Sequence, residues 1–576
     1  MGTVPEFDRH FFQSDEVFAR IGGGSLGGKA EGLVRVRAAV HEQLGGRIDG
    51  IRVGIPRVVV LGTDVFDAFM QRNELHDLDT SRPDERIAHA FQQGDLPLEV
   101  LGDLRALAEE IRQPLAVRSS SMLEDALERP FAGVYETKMI PNNKPEAATR
   151  FLRLVEAIKL VYASTYFQSA RMYRKAAGIA ESDEKMAVMI QEVVGQRFGD
   201  RFYPHLSGVG RSYSYYPIGK ASREDGVVSL ALGLGKTIVD GGLCWSYSPK
   251  RPKAPRPFAS TRQMLAETQS RFWAVNMGRP SAYDPTAPTE YLLEADLSAA
   301  EYDGTLRHLA STYDGEADRV RPGTGTDGPR VVDFAPLLQL REWPLNDLMK
   351  ALLEVGRDAV GTAVEIEMAM TLPVSAPDPA RAGFVQVRPM RTPTSVVELP
   401  PESLTGPAVL LATDRGMGNG VESGIRDVVY VKPAAFEARH TRAIAAEVRA
   451  LNARLVERRS SYLLVGFGRW GSSDPWLGIP VGWGDVSGAR AVVEATLPEM
   501  DVEPSQGSHF FHNLSSTGVL YFTVRQDRGP AIDWAWLERQ ETVQETEWLR
   551  WVRTPTLDVR MDGRTGRGVI LRSKED

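Results

Sequence analysis

The sequence predicts an α+β chain of short strands and amphipathic helices up to about residue 392, joined to a separate mixed α/β C-terminal domain. Apolar residues recur at helical spacing over 31–42 and 98–112, on either side of the β-branched run Val58–Leu61. Polar and apolar residues alternate over 364–370 and again over 384–389, the pattern of two paired strands. Pro393, Pro400, Pro401 and Pro407 then mark a boundary, beyond which seven of the ten tryptophans fall between Trp470 and Trp551.

In chain order, Gly22-Gly23-Gly24-Ser25-Leu26-Gly27-Gly28-Lys29 precedes an Ala/Glu/Leu helical pattern. A tight loop feeding a helix N-terminus is a ready anion site, and Lys29 adds a point charge in a chain with 55 Arg and only 13 Lys. The Gly-x4-Gly-Lys-Ser/Thr pattern of a P-loop is absent. Next, the apolar run 114–117 ends in Arg118, followed by Ser119, Ser120 and Ser121, the acidic pair Glu124 and Asp125, and Phe131-Ala132-Gly133. Arginine offers phosphate a planar fork of donors. Serines and loop N–H groups can cradle phosphate without fixed charge, and Gly133 lets backbone approach a ligand.

Residues 145–178 carry Phe151, Leu154, Ile158 and Val161 at helical spacing, with an aromatic stripe of Tyr162, Tyr166, Phe167 and Tyr173 that reads as core. Residues 186–194 read as a buried strand. Residues 247–290, with Pro249, Pro252, Pro255 and Pro257, read as an extended excursion, and 321–330 as a loop. A helix over 345–360 leads into the predicted hairpin. On its first strand Glu365 and Glu367 share one face; on its second, past Pro373, Pro377 and Pro379, so do Gln386 and Arg388. One or two acidic oxygens together with substrate phosphates are what Mg²⁺ prefers.

Composition bounds the function. The 576 residues suggest about three to four domains. A 42% hydrophobic and 25% charged content is that of a soluble globular chain. A net charge of −8 gives no general footprint for nucleic acid, and no apolar run approaches the ~20 residues of a membrane span. Residues 1–13 lack the basic and apolar regions of a signal peptide. The single cysteine, Cys244, permits no intramolecular disulfide and reads as a buried structural thiol, so a cytoplasmic location is the default.

The stretch 117–137 resembles, without a gap, the nucleotide-binding signature of the N-terminal ATP-grasp domain of the pyruvate phosphate dikinase and phosphoenolpyruvate synthase family. The Gly-Gly-Lys segment, Gly54-Ile55-Pro56, 63–69, Ser207-Gly208-Val209, Gly233-Leu234-Gly235-Lys236 and the hairpin resemble that family's elements in order, over roughly residues 20–392. The resemblance implies an ATP-grasp fold with one subdomain in 1–200, a second in 201–395 that carries the metal hairpin, and a further domain of unknown role in 405–576. It implies that ATP and Mg²⁺ are the cofactors. Adenine would lie against the strand bearing Gln191, Glu192 and Val194, with Lys29, Arg118 and Arg388 on phosphate and Glu367 with Gln386 on the metal. The sequence departs from the family where Glu365 replaces an aspartate, where Lys236 replaces a glutamate, and in the longer connection of the hairpin.

The C-terminal region suggests a pocket with aromatic walls, for which Arg469, Asp474, Asp485, His509 and His512 are candidates. Gly507-Ser508-His509 faintly resembles the family's phosphohistidine motif, which would make His509 catalytic with Arg118 and Arg388. However, Phe510 and Phe511 stand where small residues are expected, and Leu477-Gly478-Ile479-Pro480 precedes the histidine instead of following it. A pyruvate-binding barrel is not expected within these 576 residues. The expectation is an ATP- and Mg²⁺-dependent phosphotransferase acting on a small hydroxylated molecule or a histidine. The acceptor would enter between the ATP-grasp region and the C-terminal domain. A carboxylate–amine ligase and a non-catalytic ATP-binding regulator are the alternatives. Partners are ATP and this unidentified acceptor, with a homodimer or partner chain left open, and neither nucleic acid nor membrane is expected.

Overall fold

The computed structural model describes residues 4–44, 48–125, 133–180, 184–254, 258, 260–373, 378–393, 397–472, 474–496, 508–525 and 532–573. Phe131, Ala132, Pro255, Pro257, Pro377 and Gly507 lie outside the described residues.

Five strands form the first sheet, in the order Phe18–Ile21, Val58–Leu61, Met186–Glu192, Leu115–Ser121, Thr137–Ile140. The first pair is parallel and the rest antiparallel. Val58–Leu61 is buried throughout, as expected of a continuous β-branched run. Helix Ala147–Ser164 covers the sheet, and the aromatic stripe is core: Tyr162 packs edge-on against Phe66 at 5.1 Å. The predicted helices at 31–42 and 98–112 form as Gly27–Leu44 and Leu98–Glu110.

A six-stranded sheet follows, ordered Trp245–Tyr247, Val227–Leu232, Leu206–Arg211, Val364–Thr371, Ala380–Pro389, Ile51–Gly54. The predicted hairpin is its centre. Glu365 lies opposite Arg388 and Glu367 opposite Gln386, with a register shift just after Glu367. Helix Leu345–Val360 has the predicted bounds and packs Leu348, Leu352 and Val355 into this sheet's core. Ile51–Gly54 comes from the first 200 residues yet completes this second sheet, so the chain interlaces across residue 200.

The region 247–290 is not merely extended. Helix Thr261–Glu267 is capped by Ser260, whose side chain accepts from Gln263 N, and strand Arg271–Asn276 pairs with Leu292–Asp296. The prolines punctuate this segment without emptying it of structure. Residues 409–572 build a nine-stranded sheet. Its centre is a parallel block of Gly420–Val431, Tyr462–Phe467, Ala489–Thr496 and Leu520–Arg525, with helices Thr441–Glu457 and His509–Thr517 in the connections. Its core is continuous with that of the first sheet: Tyr216 meets Phe511, and Tyr213 donates to Gly563 O at 3.3 Å. Cys244 is half-buried beside Val209, Ala231 and Ile238, where a buried thiol was expected. Among the described residues, no helix is long and apolar enough to cross a membrane.

Candidate nucleotide site

The Gly-rich loop is pinned against the Arg118 strand. A Cβ on Gly27 would meet Ser120 O at 1.6 Å, and one on Gly28 would meet Glu124 O at 1.7 Å. That approach carries Lys29 inward, where its ammonium donates to Glu124 Oε1 at 2.6 Å and to Ser119 Oγ at 3.0 Å. Lys29 is therefore a buried, paired cation behind the cavity wall. The three serines are engaged in the same packing. Ser119 donates to Glu124, Ser120 to Leu26 O, and Ser121 to Glu184. They hold the loop, where a phosphate cradle was expected.

Arg118 points the other way. It lies on strand Leu115–Ser121, with its side chain on the wall of a cavity of about 280 Å³ between the two N-terminal sheets. Its guanidinium donates to Gln191 Oε1 at 3.1 Å and to Gln386 Oε1 at 2.6 Å, and stands 3.7 Å from Glu367 Oε2. Gln191, Glu192 and Val194 line the same cavity, with Met139 and Leu234 supplying apolar surface. Burial pushes the Glu192 carboxyl up, and Arg57 only partly opposes it. Lys236, the departure from the family pattern, also reaches the wall. Its ammonium pairs with Asp240 at 2.5 Å and lies 5.5 Å from the ring of Trp273.

The hairpin supplies the opposite wall through Glu367. Gln386 and Arg388 are buried behind it. Arg388 donates twice to Glu365, whose other oxygen accepts from Arg211, giving a buried Arg–Glu–Arg triad. Burial alone would raise the Glu365 carboxyl, but the two flanking guanidiniums overcome it and hold the group below its ordinary value. Burial pulls Arg388 down, and Glu365, Asp125 and Glu367 more than restore it. The expected phosphate clamp is thus bound first to Glu365, with one nitrogen 4.0 Å from Glu367.

Sequence reasoning gave no role to Asp125, Arg211 or Glu136. Asp125, held at φ 58°, accepts from Gln386 Nε2 at 2.8 Å, and burial pushes its carboxyl up to about 6 against Arg388 and Lys29. Arg211 lies directly opposite Glu365 on the neighbouring strand, a pairing that only the register reveals. Glu136 lines the cavity at the end of the signature, where no charge pattern singled it out. The donors suit Mg²⁺: Glu367 Oε1 is buried without a hydrogen-bond partner among the described residues, and Gln386 supplies an amide oxygen beside it.

Helix His509–Thr517, capped by Ser508, brings the C-terminal region to this site. His509 lines the same cavity as Arg118 and Glu367, against Gly133, where a Cβ would stand 2.3 Å from His509 Nδ1. Burial, then Arg388 and Lys29, hold its imidazole well below the ordinary value, so it is neutral. His512, one turn on, is fully enclosed and is likewise held down by burial, then by Arg388 and Arg211. The other C-terminal candidates do not join them. Arg469 donates to Gly241 O at 3.2 Å, Asp474 accepts from Trp476 N, and Asp485 pairs with Arg449 at 2.6 Å.

The two histidines give a pH signature. A histidine neutral in the fold but free to protonate when unfolded costs stability as pH falls below its ordinary value of 6.5. The histidines' contribution to stability is expected to be constant above that pH and to decline towards pH 5. His512→Asn should flatten the decline without changing it above pH 7. Chemical denaturation of both proteins at pH 7.5 and 5.5 checks this; parallel losses would refute it.

A family model described as pyruvate phosphate dikinase, AMP/ATP-binding domain, matches residues 24–399. Among curated proteins, the chain is 28% identical over 211 residues to rifampicin phosphotransferase of Streptomyces sviceus, covering 34% of this chain and 22% of that protein. It is 33% identical over 128 residues to phosphoenolpyruvate synthase of Aeropyrum pernix, covering 22% of this chain and 13% of that one. It is 26% identical over 189 residues to the uncharacterized phosphotransferase YvkC of Bacillus subtilis, covering 33% and 20%. The matched parts thus span about a fifth of these relatives' length, or less.

Proposed function

The chain belongs to the pyruvate phosphate dikinase AMP/ATP-binding family, and from that premise we propose that it is an ATP- and Mg²⁺-dependent phosphotransferase whose first phosphate acceptor is His509. The observation that carries the reading is the His509 imidazole on the wall of the cavity that also holds Arg118 and Glu367. Adenine lies against Gln191, Glu192 and Val194, and Arg118 turns its fork to the phosphates. Glu367 and Gln386 hold Mg²⁺, which when bound neutralises phosphate charge. Catalysis is chiefly positioning and charge stabilisation. The unprotonated ring nitrogen of His509 attacks phosphorus as the bond to the nucleotide's leaving oxygen breaks. The phosphoryl group then lies at the first turn of helix His509–Thr517, where N–H groups and the helix dipole favour negative charge.

Incubating the protein with Mg·ATP and cell-extract metabolites, then resolving nucleotides, peptides and metabolites by mass spectrometry, tests this. Phosphohistidine on residue 509, lost in His509→Ala, is the expected result, and AMP or ADP identifies which phosphoryl group moves. A phosphorylated metabolite formed equally well by His509→Ala would overturn the relay. ADP, phosphate and an amide would point to ligation, and no turnover to a regulatory chain.

A further inference from the structure

Beyond the nucleotide cavity, on the far side of His509, lies a second cavity of about 270 Å³. The two share His509, Gly133, Val239 and Asp240, so the imidazole is a common wall. The second cavity is otherwise built by the C-terminal region. Trp483 and Phe510 give it aromatic faces, Pro480 an apolar one, and Ser472 and Asn513 polar edges. Trp483 is 7% exposed, and its indole N–H, which makes no hydrogen bond to a described residue, keeps some contact with solvent. An indole N–H left open in this way can serve an oxygen of a ligand.

We propose that this cavity is the acceptor subsite and that it takes a neutral, hydroxyl-bearing ring compound; the proposal rests on the phosphotransferase reading above. Charge argues for the neutrality. The only charged side chain among the described lining residues is Asp240, which is already paired with Lys236, and His509 is uncharged. A carboxylate or phosphate on the acceptor would meet no unpaired cation among these described lining residues. The aromatic and proline surfaces suit the faces of a ring, and the free indole N–H suits a hydroxyl or carbonyl oxygen on its rim. From there the acceptor oxygen forms a bond to phosphorus as the P–N bond to His509 breaks. The hydroxyl proton passes to solvent while the released ring nitrogen recovers its lone pair, which leaves His509 neutral for the next cycle.

The test loads the protein with Mg·ATP, removes nucleotide by desalting, and offers myo-inositol, uridine and methyl α-glucoside separately, with glycerate as an anionic control. Phosphorylated probe is measured per phosphohistidine formed. We expect at least one neutral probe to be phosphorylated in preference to glycerate. We expect that yield to fall at least tenfold in Trp483→Ala and severalfold in Trp483→Phe, which keeps a ring but removes the N–H. Loaded protein that phosphorylates none of the neutral probes, prefers glycerate, or is indifferent to both substitutions would overturn the subsite. Absence of phosphohistidine in the wild type would instead overturn the phosphotransferase reading.

Discussion

Glu365→Ala is expected to cost the protein more stability than any other single change at the site. The carboxylate is fully buried between Arg211 and Arg388, accepting from both. Removing it leaves two enclosed guanidiniums facing each other without a counter-ion. Breaking a buried pair by deleting one partner typically costs about 3–5 kcal/mol, and here two cations lose the same partner. Set against a total stability of roughly 5–15 kcal/mol, that is a large fraction of what holds the fold. Arg388→Ala should cost less, because Glu365 keeps Arg211. Denaturant unfolding of the two variants decides the order. An unfolding midpoint for Glu365→Ala equal to that of the wild type would mean that water replaces the carboxylate and that the triad is not structural. On the proposed reading the triad also bears on function, since it fixes Arg388, with one nitrogen 4.0 Å from Glu367, before any phosphate arrives.

The elements read from periodicity are those whose signal is local. Helix Leu345–Val360 and strand Val58–Leu61 form with the predicted bounds, since a stripe or run of apolar residues suffices to select them. The hairpin was equally legible because two alternating stretches can bury one face only by pairing. What alternation could not give was partner choice. It put Glu365 and Glu367 on one face, but only the register shows Glu365 to be the counter-ion of Arg388 and Glu367 to be the cavity residue. The contacts of Lys29 were illegible for a related reason. A glycine-rich loop before a helix reads as an anion cradle, but close packing of Gly27 and Gly28 on the signature strand turns the lysine to Glu124. The second cavity was the least legible. Its walls come from Gly133, Asp240, Trp483 and Phe510, which are far apart in sequence, and tryptophans that fill a core look the same in composition as one that lines a pocket.

Arg118→Ala is expected to remove most of the turnover while leaving the fold intact, and it separates chemistry from stability more cleanly than any change at Arg388. The Arg118 side chain is 12% exposed and faces the cavity, and its contacts are with Gln191, Gln386 and Glu367, none of which depends on it for burial in the core. Glu367 still has Arg388 at 4.0 Å after the substitution, so no carboxylate is stranded. In the free protein the guanidinium is spread over two amides and a carboxylate. A phosphate oxygen brought to it would replace neutral acceptors with a charged one, which is the stronger bond. Removing one such donor from a preorganised site costs about 10²–10³ in rate, and that loss is expected in single-turnover formation of phosphohistidine. Arg118→Lys should recover little of it, because a point charge cannot reproduce the fork that spans Gln191 and Gln386. The unfolding midpoint of both variants should stay near that of the wild type. Rapid phosphohistidine formation in Arg118→Ala would remove Arg118 from the phosphate site and leave it as a strut between the two N-terminal sheets.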